Sequence, residues 1–178
     1  MTKTSKKQIK TDEQKIIDIL KDNSNESIND IAKKCKFSRQ KVWRIIKQLE
    51  KNNSIWGYTA VIDEEKQELK NYIILLKRTN QPLTRELVDN IIHRKLEELG
   101  EKIGVKIENS AYLHGVYDWM ICFTAEDIKQ AKNFAEFLNK IFEGFITDVQ
   151  LLENMFYAKK SGIENPEIER LNEFFPEF

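Results

Sequence analysis

Five bases occupy the stretch from Ser38 to Lys51: Arg39, Lys41, Arg44, Lys47 and Lys51, with Gln40 and Trp43 among them. Wound as a helix, the stretch puts Val42, Ile45, Ile46 and Leu49 on one face and Gln40, Trp43, Arg44, Lys47 and Lys51 on the other. The polar face carries chemistry that fits duplex DNA. A guanidinium fork matches the paired acceptors on a guanine edge, and a glutamine amide matches the donor and acceptor of adenine. Arg39, Gln40 and Arg44 are therefore placed to read bases. Lys41, Lys47 and Lys51 are placed to meet phosphate, which adds affinity but little sequence information. Ser38 has two compatible roles, as the N-cap of the helix and as the point where free backbone N–H groups receive a phosphate. Trp43 has two readings: contact with a thymine methyl or sugar, and a wedge between helices.

The elements around this stretch are those needed to present it. A second amphipathic helix opens at Ser27, with Asp30 three residues on in a variant capping box, and turns Ile28, Ile31, Ala32 and Cys35 inward. Lys36-Phe37 makes the turn between the two. Upstream, Ile16, Ile17 and Leu20 mark a first helix with Thr11 or Asp12 as N-cap, ended by Asp22-Asn23-Ser24-Asn25. Residues 1–10 read as a flexible basic arm. Residues 55–62 read as a β wing, with Gly57 as turn or bulge, so residues 11–62 make a winged helix-turn-helix. The polar run 63–70 reads as a hinge.

Formal net charge is zero, but its distribution is not even. Residues 1–56 hold 14 Lys/Arg against 7 Asp/Glu, and residues 57–178 hold 15 against 22. The front half suits a polyanion and the back half does not.

Residues 71–160 change register to β-α-β-β-α-β. Strands fall at 71–77, 105–114, 117–124 and within 145–159, with Gly115-Val116 as a tight turn. One helix follows Pro82 and ends at Gly100 or Gly104, and another starts at Asp127. That order is the ferredoxin-like one, with both helices on one face of a four-stranded sheet, and the whole chain is α+β. Strands 71–77 and 117–124 are apolar on both faces, Tyr117, Trp119, Ile121 and Phe123 pointing one way and Met120 and Cys122 the other. The second face needs a cover. A second copy packed sheet to sheet supplies it, so a homodimer is expected, with Tyr117 and Trp119 as its test positions. Residues 161–178 read as an acidic tail helix with Ile168, Leu171 and Phe174 on one side.

The run Ser38 to Glu50, followed by Ile55-Trp56-Gly57-Tyr58-Thr59-Ala60, resembles the Lrp/AsnC (feast/famine) transcription regulators. The back half is similar to that family's regulator-of-amino-acid-metabolism (RAM) domain, including Gly-x-Tyr-Asp at Gly115-Val116-Tyr117-Asp118. The resemblance spans roughly residues 12–160. It implies a dimeric DNA-binding regulator that assembles further into tetramers or octamers, with an amino acid or related metabolite as effector between dimers. Carried over, it nominates Gly115, Tyr117 and Asp118, with Thr147 and Asp148 near the last strand. A carboxylate there can pair an α-amino group, and glycine admits the ligand close to the backbone. Equally, Gly115 can serve a hairpin and Asp118 can cap a turn. The segment 83–109 is longer than the family usually has, and the tail is extra.

Two other classes compete with this one. Some sirohaem decarboxylases share this two-part architecture, and His114 sits beside the loop. The chain has only two histidines, His93 and His114, far apart in sequence, and shows no metal-ligand spacing, phosphate loop or activated nucleophile. A ligand-sensing interaction module is the other alternative, and the concentration of bases on one helix face argues against it. No metal or cofactor is implied. The two cysteines, Cys35 and Cys122, call for no oxidising compartment, and no run is long enough to span a membrane, so the expected location is the cytoplasm.

Overall fold

The computed structural model describes residues 5–175. The chain forms two compact units: the N-terminal residues through Val61 together with the C-terminal segment from Ala158, and residues 62–157.

In the first unit, α1 (Lys6–Asp22), α2 (Ile28–Cys35) and α3 (Arg39–Lys51) each open on a serine whose side chain accepts a backbone N–H three residues on. Helix α1 starts earlier than its apolar pattern predicts. Ser5, not Thr11 or Asp12, is the N-cap, accepting from the Gln8 N–H at 3.2 Å. Residues 6–10 are therefore helix and not a free arm; residues 1–4 of that expected arm lie outside the described residues. The one apolar residue of this extra turn, Ile9, is 44% exposed and packs into no core; the cap and the Gln8–Asp12 side-chain bond at 2.8 Å support the turn instead.

Ile16, Ile31, Ala32, Cys35 and Val42 form the core of the three helices, with Ile45, Ile46 and Phe37 packed against it. Ile28, expected inside, is 36% exposed. Lys36 makes the turn in a left-handed conformation (φ 56°), and the Phe37 N–H donates to the Ala32 carbonyl at 2.9 Å.

The expected wing does not form as strand. Residues 55–62 have no ladder partner among the described residues, and Trp56 is 95% exposed. Strand-forming residues express that preference only where a neighbour accepts their hydrogen bonds. The C-terminal segment also differs from its reading. It begins with a hairpin of β5 (Lys159–Lys160) and β6 (Ile163–Glu164), followed by a 3₁₀ helix over Ile168–Phe174 in place of an α-helix. The last residues of the expected tail helix, 176–178, lie outside the described residues.

The second unit is the ferredoxin-like sheet. Strands β1 (Lys70–Arg78), β2 (Lys106–Tyr112), β3 (Trp119–Ala125) and β4 (Ile146–Asn154) lie in the order β2-β3-β1-β4, every neighbour antiparallel. The polar segment read as a hinge is a 3₁₀ turn over Glu65–Gln67 leading into β1, with Glu64 buried and accepting from Asn71 Nδ2 at 3.2 Å. The single helix expected after Pro82 is two, α4 (Arg85–Ile92) and α5 (Lys95–Lys102), broken where Arg94 takes φ 56°. Gly100 lies buried inside α5, where a Cβ would meet the Val105 carbonyl oxygen at 3.2 Å; Gly104, at φ 78°, ends the segment. Helix α6 (Ile128–Ile141) is capped by Asp127.

The core lies between these helices and one sheet face. Tyr72, Ile74 and Leu76 of β1 and Ile121 and Phe123 of β3 pack with Leu96, Ala131, Phe134 and Leu138. Phe123 is stacked on Tyr72 at 5.6 Å between centroids and meets Phe134 edge-on at 5.0 Å. Trp119 belongs to this covered face, edge-on to Phe142 at 5.6 Å, which removes it from any contact through the other face. The opposite face carries Ile73 and Leu75, paired in register with Cys122 and Met120 on one side and with Leu152 and Gln150 on the other. These residues stay outside the buried cluster.

Candidate nucleic-acid interface

Local sequence explains how α3 is presented. Ser38 is extended (φ −74°, ψ 151°) and accepts the Lys41 N–H at 3.2 Å, while Val42 and Leu49 anchor the helix inward. At about 100° per residue, Gln40, Trp43, Arg44, Lys47 and Lys51 fall within about 100° of one another on the outer surface. Arg39, Gln40, Trp43, Arg44, Lys47 and Lys51 are all exposed. Trp43 is 54% exposed, so it does not wedge between helices.

Lys41 is the exception. It falls on the flank of α3 toward α1, where its ammonium lies 2.6 Å from Asp12 Oδ2 and 3.8 Å from the centroid of the Phe37 ring. The expected phosphate contact is thus replaced by a tie between α1 and α3, with Asp12 almost wholly buried. The Lys41 hydrogen bond holds the Asp12 carboxyl below its ordinary 3.8, helped by Gln8 and opposed by burial. A depressed native pKa stabilises the fold above the ordinary value and loses that contribution as pH falls through the native value. Lys41→Met is expected to cost about 1–2 kcal/mol at neutral pH, less than a fully buried pair because Lys41 is partly solvated. Urea melts should show the gap from wild type closing as pH drops below 3.8; a gap that holds constant would refute the assignment.

Lys47 donates to Glu50 Oε2 at 2.7 Å, and the Tyr58 hydroxyl donates to Glu50 Oε1 at 3.2 Å. Both bonds hold Glu50 below its usual carboxylate range, the Lys47 one most. An exposed pair of this kind is weak enough to be exchanged for a phosphate. The Tyr58 contact was not legible in the sequence, because it joins α3 to a segment with no regular structure.

In the second unit the expected two-residue turn at Gly115-Val116 is a six-residue loop, 113–118, between Tyr112 and Trp119. Gly115 lies in open space and takes no left-handed conformation. Asp118 serves the fold. Its Oδ2 accepts the Arg78 backbone N–H at 2.8 Å, and its own N–H donates to the Leu76 carbonyl at 2.9 Å. The Thr147 hydroxyl donates to the Lys77 carbonyl at 3.2 Å. Asp118 and Thr147 therefore flank the C-terminal end of β1. Asp148 pairs in register with Lys77 and is exposed, whereas Tyr117 is half-buried. His114 is exposed, and no cluster of three His, Cys, Asp or Glu able to hold a metal occurs among the described residues. Among the described residues no helix is long and apolar enough to cross a membrane.

Residues 13–55 match the winged helix-turn-helix DNA-binding family. No curated protein sequence gives a significant match. Several solved structures share the fold across both units. The AsnC family transcriptional regulator of Agrobacterium tumefaciens aligns over 84% of this chain and 92% of its own at 23% identity, with a TM-score of 0.62. LrpC of B. subtilis aligns over 89% and 99% at 19% identity, with a TM-score of 0.59. A transcriptional regulator of Neisseria meningitidis, solved as a complex with L-Met, aligns over 89% and 94% at 16% identity, with a TM-score of 0.63. Residues 13–55 are thus a helix-turn-helix of the winged DNA-binding kind, and the chain as a whole has the two-part fold of the Lrp/AsnC regulators.

Proposed function

We propose that the protein is a homodimeric, sequence-specific DNA-binding regulator of transcription. The observation that carries this reading is the outer face of α3, where Arg39, Gln40, Trp43 and Arg44 stand exposed at the N-terminal end of a helix anchored by Val42 and Leu49. A second helix of a helix-turn-helix offers its N-terminal residues to base edges in the major groove. Lys47 and Lys51 follow along the same face and meet phosphate.

The dimer rests on the open sheet face. Ile73, Leu75 and Met120 lie there half-buried, and Leu152 is 45% exposed. Apolar rows on a four-stranded face are covered most economically by a second sheet. Two recognition helices related by a two-fold axis then read half-sites about 34 Å apart, or a multiple of that. An amino-acid effector at the 113–118 loop completes the reading, a ligand class represented by the L-Met of the Neisseria meningitidis complex. Asp118 spends only Oδ2 on the Arg78 N–H, which leaves Oδ1 for an α-ammonium group.

Selection of bound fragments from a random duplex pool tests the proposal. The expected product is a pair of inverted half-sites one helical turn or a multiple apart. A pool that stays random under heparin competition overturns it.

A further inference from the structure

Between the helices and the sheet of the second unit lies a cavity of about 230 Å³. Its walls are apolar: Leu76, Leu83, Ile91, Trp119, Phe142 and Phe145 line most of it. For comparison, an engineered cavity of about 150 Å³ stays dry and takes up benzene. In this protein the cavity opens to solvent beside Tyr112, which is 67% exposed, so an apolar ligand that enters removes these walls from water.

One charged side chain also lines the cavity. Arg78, at the end of β1, donates from Nη1 to the Tyr112 hydroxyl at 2.6 Å and from Nη2 to the Gln81 carbonyl at 3.2 Å. Its Nε is cut off from solvent and has no hydrogen-bond partner among the described residues. Among those residues no carboxylate neutralises the guanidinium; Asp118, the acid beside it in the fold, binds the Arg78 main chain instead. The guanidinium therefore brings an un-neutralised positive charge to an otherwise apolar wall, and such a charge favours a bound anion. The other polar groups in the lining, Tyr112 and Ser110, are neutral, and Ser110 is already bonded to Trp119 Nε1 at 2.8 Å.

We infer that this cavity is a binding site for a small hydrophobic monocarboxylate, its carboxylate on Arg78 and its apolar body against Trp119, Phe142 and Phe145. The lining contains no acidic side chain, so an α-ammonium group placed there would be desolvated without a counter-charge. The site therefore takes a carboxylic or 2-oxo acid in preference to the corresponding amino acid. It is separate from the effector reading of the 113–118 loop, although Arg78 touches both through its two ends.

Calorimetric titration of the full chain with 3-phenylpropionate, phenylalanine and 3-phenylpropanol tests this, because the three share one apolar body. The acid should bind saturably, and the other two at least tenfold more weakly. Arg78→Gln should weaken the acid by tenfold or more while leaving the alcohol unchanged. Leu83→Trp, which fills the cavity and keeps Arg78, should abolish acid binding, with a thermal melt confirming that it folds. Acid binding that survives Leu83→Trp, or an alcohol that binds as tightly as the acid, overturns the proposal. So does phenylalanine that binds as tightly as the acid and is lost in Leu83→Trp. Phenylalanine binding that persists in Leu83→Trp while acid binding is lost supports the cavity, and assigns the amino acid to the separate loop.

Discussion

Replacing Arg39 and Arg44 together with alanine is expected to abolish sequence-specific DNA binding and leave the helix-turn-helix folded. Both side chains are exposed, and neither has a hydrogen bond or ion pair among the described residues, so the free protein loses no polar contact. Alanine is also the better helix former, so α3 itself does not weaken. A good bidentate base contact is worth about 1–3 kcal/mol, so the pair costs about 2–6 kcal/mol if the two act independently. Gel shifts at fixed salt against a selected site and a scrambled one measure this as a collapse of the ratio between them. Lys47→Ala is the control, because its ammonium should meet phosphate. It should weaken both duplexes alike and lower the salt slope by about one unit. A double arginine variant that keeps the specific-to-scrambled ratio removes α3 from the major groove.

The second large effect is expected at Leu152→Asp, which should turn a dimer into a monomer. Leu152 lies across from Ile73 on the open face of the sheet and is already 45% exposed, so an aspartate costs the isolated fold little. Under a second sheet the same carboxylate would be buried without a partner. Such a penalty is about 3 kcal/mol or more, roughly a hundredfold or greater weakening of association. Light scattering across a dilution series reads it directly. Trp119→Asp should behave differently: its ring is seated against Phe142 on the covered face, so this variant should lose its cooperative melt. A Leu152→Asp protein with the mass of wild type would place the association surface elsewhere.

The helix-turn-helix was legible in the sequence because its determinants are local. Ser27 and Ser38 each cap within three residues, and Val42, Ile45, Ile46 and Leu49 recur at the period of one helix. The order of strands and helices was legible for a similar reason, since alternation and helical spacing announce each element one at a time. The polar face of α3 followed from the position of its apolar face.

Only the tertiary structure decided where individual side chains went. Lys41 has the same chemistry as Lys47, yet a flank of α3 turned toward α1 sends it to Asp12. Trp119 alternates correctly with Met120, but which face the helices cover depends on packing between α6 and β3 and not on alternation. The run 55–62 has strand-forming residues and no strand, because a ladder needs a partner whose position no local pattern specifies. Capping and periodicity act over a few residues and are written in the chain, whereas pairing, burial and the fate of a charge depend on what folding brings alongside.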